Sequence, residues 1–156
     1  MPARVEHLLR SADFQRVLAT PPQSRSAHFS VHHVLASPSV AKKPVKNRLA
    51  SELSTGDAPS CPLLVDESPA ATPLGCWLGL VVPKRHARRA VTRNLLKRQM
   101  RAVMEMQAGT MRPGLWVLRL KAPFDRKQFV SPASEPLRRC AHDELWLLLQ
   151  RAAARR

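Results

Sequence analysis

The sequence predicts an α+β fold, a two-layer sandwich of helices on one sheet. Three observations carry that prediction. Segments with the two-residue alternation of a strand and segments with the period of an amphipathic helix follow one another along the chain. A near-continuous apolar run, Cys76 to Val82, has the length and make-up of an interior strand. The helix that follows it carries separate apolar and cationic faces, so one side can dock on a sheet.

The first element is a helix over Leu8 to Ala19, with Ser11 as an early cap and Phe14, Val17 and Leu18 at helical spacing. Pro21 and Pro22 stop it. His28 to Leu35 reads as a strand, with Phe29, Val31 and His33 on one face and Ser30, His32 and Val34 on the other. From Ala36 to Pro73 there are six prolines, much Ser and Ala, and no apolar period. This composition marks an insertion, about 36–74, within a single 1–156 domain. Lys42, Lys43, Lys46 and Arg48 suit it equally to be a basic arm or a neutral spacer.

Order returns at Gly75 and the Cys76–Val82 strand, which Pro83 closes. A basic turn leads into a helix from about Arg89 to Gln107, ended by Gly109 and the Arg112-Pro113-Gly114 turn. Leu115 to Leu120 is a further strand, and Pro123 breaks it. Ser134 then caps a last helix, with Glu135 in its first turn and Leu137, Ala141, Leu145 and Leu148 as its apolar stripe.

Charge narrows the function. The 156 residues carry a formal net charge of +15, which points to a polyanionic partner, nucleic acid before an anionic membrane surface. No run of 18 apolar residues exists, and the first residues lack the apolar core of a signal peptide. Cys61, Cys76 and Cys140 match no zinc or redox spacing and read as reduced cytoplasmic thiols. His32 and His33 are neighbours on a strand, point to opposite faces, and do not share a metal. No metal site and no protein-held cofactor is expected. The acids Asp13, Asp57, Asp66, Glu67, Asp125 and Asp143 are dispersed, which argues against a nuclease acting alone.

The informative stretch runs from Lys84 to Arg101. It holds eight Lys or Arg residues and no acid. On a helical projection, Arg93, Asn94, Lys97, Arg98 and Arg101 share one face. Val91, Leu95, Leu96, Ala102, Val103 and Met106 share another, which is expected to pack on the sheet. Like charges this close repel, and a bound phosphate backbone relieves the repulsion while releasing counterions. Arginine suits the task because its planar fork clamps a phosphate with two hydrogen bonds. Asn94 is a poor helix former whose amide both donates and accepts. It fits contact with a base edge, a ribose hydroxyl or a metal-bound water.

Gly79-Leu80-Val81-Val82-Pro83-Lys84-Arg85, continued by Ala90 through Arg101, resembles the signature of the bacterial ribonuclease P protein family. There a Gly-containing strand and a basic turn precede an Arg-Asn-x-x-Lys-Arg-x-x-Arg helix. Ala12-Asp13-Phe14-Gln15-Arg16-Val17 and His28-Phe29-Ser30-Val31 resemble the family's first helix and first strand, and Leu115 to Leu120 its late strand. The resemblance covers about 1–35 and 75–152.

It implies a ribosomal S5 domain 2-like sandwich of α-β-β-β-α-β-α order with a left-handed crossover. That is one strand more than the residues themselves predict, so a hairpin partner is to be sought near Leu63 to Val65 or in Cys76–Val82. It implies a ribonuclease P subunit that binds the catalytic RNA, one to one, and the 5′ leader of precursor tRNA in the cytoplasm. Catalysis belongs to the RNA, which requires Mg2+, so no catalytic residue is expected in this chain. Lys84, Arg85, Arg88, Arg89, Arg93, Asn94, Lys97, Arg98 and Arg101 are expected to meet the catalytic RNA. Phe14, Phe29 and His32 are expected in a leader cleft between the first helix and the sheet, although both phenylalanines suit core packing equally well. The chain departs from the family pattern in having no tyrosine, with Leu18 and His32 where relatives often place aromatics. The competing expectation is a general RNA-binding or ribosome-associated module without a processing role.

Overall fold

A computed structural model describes residues 4–39, 73–131 and 133–155. Most of the expected insertion, 40–72, lies outside the described residues, as does the hairpin segment sought near Leu63 to Val65. The elements run β1 (Val5–His7), α1 (Ser11–Leu18), β2 (Ser24–Arg25), β3 (Phe29–Val34), β4 (Cys76–Val81), α2 (Ala90–Gln107), β5 (Gly114–Leu120) and α3 (Glu135–Ala154). They form an α+β fold around a five-stranded mixed sheet of order β1-β4-β5-β3-β2. β4 pairs parallel with both β1 and β5, while β3 pairs antiparallel with β5 and β2.

The hairpin partner of β3 is β2, with Ser24 opposite Val31 and Arg25 opposite Ser30. It is therefore not to be found in Cys76–Val81, which serves as an interior parallel strand. β1 was not expected from the sequence. Only Val5 in it is apolar, and its conformation is imposed by the neighbouring strand, with Val5 opposite Cys76. α1 begins at Ser11, not Leu8, because Leu8 still belongs to the sheet edge and donates its N–H to the Leu78 carbonyl at 3.0 Å. Ser11 therefore sits inside the helix, and Arg10 holds the cap position without a side-chain capping bond.

The two sheet faces have different cover. Alternation sends Phe29 and Val31 of β3, Cys76 and Leu78 of β4, and Trp116, Leu118 and Leu120 of β5 to the face that packs on α2 and α3. Leu115 and Val117 point the other way, to a smaller cluster with Val17 and Leu8 beneath α1. Gly114 starts β5 with φ of +126°, and a Cβ there would lie 2.5 Å from the Val34 carbonyl oxygen. Only glycine meets both demands.

α2 is turned on its axis relative to the sequence expectation. Its buried stripe is Leu96, Gln99, Met100, Val103, Met104 and Gln107, whereas Val91 and Met106 are 53% and 62% exposed. The stripe is rotated by roughly 90° from the expected set of Val91, Leu95, Leu96, Ala102, Val103 and Met106. The cause is α3, against which α2 also packs. Gln107 can be buried there because its amide donates to the Trp146 carbonyl at 3.0 Å.

Two carboxylates tie the loops to this frame. Buried Asp13 of α1 accepts from the N–H and hydroxyl of Ser39. Glu144 of α3 accepts from the Ser26 hydroxyl, the His28 N–H and His28 Nδ1, which lies 2.7 Å away.

Candidate nucleic-acid interface

α2 presents its cations because its other side is filled. Asn94, Arg98 and Arg101 lie on the exposed face, and Lys97 sits on its flank, half-buried. With Ala102 and Glu105 these four line a shallow groove along the helix. Lys97, Arg98 and Arg101 form no ion pair with any described residue. Glu105 is the one carboxylate lining that groove, and Glu135 of α3 lies 3.5 Å from Arg138 and 3.4 Å from Arg139, on its own helix.

Arg93 departs from this arrangement. It is half-buried, and its Nη1 donates to the carbonyls of Ala87, at 3.0 Å, and Arg88, at 2.7 Å. The side chain folds back over the basic turn instead of standing free beside Arg98. That turn is also closed by the N–H groups of His86 and Ala87 on the Pro83 carbonyl. It leaves Lys84, Arg85, Arg88 and Arg89 exposed in front of α2. The structure thus brings all nine sequence-derived positions to the β4–α2 turn and α2, with Arg93 organising the turn.

The expected leader cleft assembles only in part. Phe14 of α1 is half-buried over the sheet, and its ring occupies the space that a Gly79 side chain would need. A Cβ on Gly79 would stand 2.5 Å from Phe14 Cε1, so the glycine permits the ring to lie there. Phe29 is on the opposite face, 0% exposed, in the core beneath α3. It cannot stack on a strand bound beside Phe14, and that expectation is corrected. The reason is the pleat, which sends Phe29 away from α1 while Ser30 and His32 face it. His32 is on the right face but only 8% exposed, with Nδ1 donating to the Thr20 carbonyl at 2.9 Å. Its ring fastens the end of α1 and offers no open stacking surface. Arg119 was not singled out from the sequence. It lies on this same face, opposite Ser30 and Val81, with a buried Nε that has no partner among the described residues. The available signal was a lone cation in the apolar Leu115–Leu120 run.

The Ribonuclease P family model matches residues 2–140. This chain belongs to the Ribonuclease P family. It is similar to the ribonuclease P protein component of Burkholderia pseudomallei strain 1106a, with 45% identity over 76 residues covering 49% of this chain and 56% of that relative. Identity to the component of Burkholderia mallei strain SAVP1 is 43% over 76 residues, with 49% and 56% covered. For Paraburkholderia xenovorans strain LB400 it is 41% over 78 residues, with 49% and 55% covered. The matched region thus spans about half the length of the curated relatives. No solved structure matches the chain.

The remaining chemistry of this ribonuclease P family member is quiet. Burial pushes the Cys76 thiol up to about 11, so it stays protonated near neutrality. Burial, with Glu144 and Asp143 nearby, also raises Cys140. Burial lowers the pKa of His33, whose Nε2 donates to the Pro113 carbonyl at 3.0 Å. Among the described residues no group of three His, Cys, Asp or Glu side chains is placed to hold a metal, and no helix is long and apolar enough to cross a membrane.

Proposed function

We propose that this chain serves as the protein subunit of ribonuclease P. It binds the catalytic RNA through the exposed face of α2 and the turn before it, and it holds the 5′ leader of precursor tRNA against α1. Catalytic RNA and precursor tRNA are both polyanions, so their approach is opposed by charge repulsion. Magnesium or a layer of protein cations can offset that repulsion. The single observation that carries the reading is the run of cations on α2, Lys97, Arg98 and Arg101 beside Asn94, without an ion pair among the described residues, on a helix whose other side is locked into the core.

In this reading the RNA subunit hydrolyses one phosphodiester and leaves a 5′-phosphate on the tRNA. Magnesium, held by the RNA, would supply the Lewis-acid chemistry of that step. This chain supplies no general base. It works one to one with the RNA in the cytoplasm, with no membrane partner. Residues 36–74 are an insertion in the same domain. Leader binding rests on Phe14 and Arg119, an aromatic surface beside a cation, which is the combination single strands use.

The test is cleavage of a precursor tRNA at low magnesium by a bacterial ribonuclease P RNA, with and without the purified protein. The proposal expects site-specific cleavage only when both are present. Binding without any gain in cleavage sinks it, as does cleavage by the protein alone.

A further inference from the structure

The β4–α2 turn faces the loop between β5 and α3 across a cavity of about 280 Å³. Its rim is cationic, with Arg88 and Arg89 on one side and Arg126 on the other. Its lining is mixed: the ring of Phe129, with Leu96 of α2 and Leu137 of α3, lies beside His86, Thr92 and Ser131. One carboxylate, Asp125, also lines it, and its Oδ1 accepts the Lys127 N–H at 2.9 Å. Phe129 is held edge-on to Phe124, with ring centres 5.8 Å apart, and Phe124 in turn stacks on His28 at 4.0 Å. The aromatic wall is therefore braced from behind by the hairpin that Glu144 clamps.

From this geometry we infer that the cavity takes one unstacked nucleotide of a bound RNA strand, its base against Phe129 and its phosphate on Arg88, Arg89 and Arg126. The inference rests on the proposed RNA-binding role and adds a base-accepting site to it. Three guanidinium groups against one carboxylate select an anion. The half-buried ring of Phe129, within a mixed polar and apolar lining, offers a stacking surface to a flat group that also carries hydrogen-bonding edges beside that anion. A volume just under the range of small-ligand sites, about 300–1,000 Å³, admits one nucleotide and not a stacked run. Arg88 and Arg89 also belong to the cationic turn in front of α2, so a strand tracking that surface passes the mouth. RNA is commonly recognised through bases splayed out of the stack onto aromatic and guanidinium planes.

The experiment compares binding of the full chain to a seven-nucleotide oligoadenylate and to an abasic chain of the same length and charge. Fluorescence anisotropy at fixed salt reads the two affinities. The wild type is expected to prefer the base-bearing strand, and in a Phe14→Leu background, which removes the ring at α1, the preference that remains is expected to be about tenfold, the order of one stacked base. Phe129→Ala is expected to remove most of that preference. Phe129→Leu, which keeps the apolar filling without the ring, is expected to do the same in a protein of unchanged melting temperature. Arg126→Ala is expected to weaken both strands alike. Equal affinity of the wild type for the two strands overturns the inference. So does a preference that survives both Phe129 variants and vanishes with Phe14→Leu, since the base then sits at α1. A preference removed at Phe129 in a protein that gives no gain in precursor cleavage leaves the cavity standing and removes the subunit role. The reverse pattern removes the cavity alone.

Discussion

Arg93 Nη1 lies 2.7 Å from the carbonyl oxygen of Arg88 and donates to it. A side chain nine positions into the chain's most basic segment thus shapes the turn before it, where cations would otherwise repel one another. The same nitrogen reaches the Ala87 carbonyl, so two backbone acceptors are satisfied by one charge.

Arg93→Ala is accordingly expected to loosen the turn as well as remove a charge. Amide hydrogen exchange at His86 and Ala87, whose N–H groups bond the Pro83 carbonyl, should accelerate in this variant and not in Arg98→Ala. Equal exchange in both variants would show that the turn holds without Arg93.

Phe29 and Phe14 should separate cleanly. Phe29→Ala is expected to cost about 3–5 kcal/mol of stability, as for a large core truncation, measured by denaturant unfolding. Phe14→Leu keeps apolar cover over the sheet. It should weaken a leader-bearing precursor about five- to tenfold and leave mature tRNA unchanged, the scale of a single stacked base. Equal losses on both RNAs would make Phe14 a packing residue alone.

Glycine should be indispensable at two positions for different reasons. Gly114→Ala combines a positive φ with a clash against the Val34 carbonyl, and it should destabilise the fold by roughly 1–3 kcal/mol or more. Gly79→Ala has no such backbone strain but must move the Phe14 ring. Its effect should therefore fall on leader-bearing substrate more than on the melting temperature.

Glu144 predicts a pH dependence. Burial pushes its carboxyl up, but the Ser26 hydroxyl and the His28 N–H and ring outweigh burial and hold it below its ordinary 4.5. A carboxylate depressed in the folded state contributes stability that is fully present above its unfolded value and lost as pH falls through its folded value. The melting temperature of the wild type should therefore drop more steeply below about pH 4.5 than that of Glu144→Gln. Parallel curves would remove Glu144 as the clamp between α3 and the β2–β3 hairpin.

The sequence is readable where periodicity is long and unforced. The alternation in β3 and the Ser134 cap of α3 are both visible in the residues, since Ser134 Oγ accepts the Leu137 N–H as a cap should. β1 and β2 are not readable, because two or three residues carry no period and their neighbours impose their conformation. The orientation of α2 is hidden for another reason. Gln99 and Gln107 look like surface residues and are buried, and the Gln107 amide finds its acceptor on a helix some forty residues away in sequence. At the site, the cluster of cations is legible from spacing alone. Which of them turns inward, as Arg93 does, depends on the carbonyls of a turn whose shape the spacing does not encode. Phe29 is aromatic like Phe14, but the pleat of β3 sends it to the sheet face that α1 does not cover.

The central claim is that the exposed face of α2 meets phosphates. It is tested most directly by the salt dependence of binding to a ribonuclease P RNA, for the wild type and for Arg98→Ala/Arg101→Ala. Each lost phosphate contact should lower the steepness of log K against log salt by about 0.7 to 0.9. The account predicts a drop of about 1 to 2 for the double variant, with the fold intact. An unchanged slope would contradict it and move the interface off this helix.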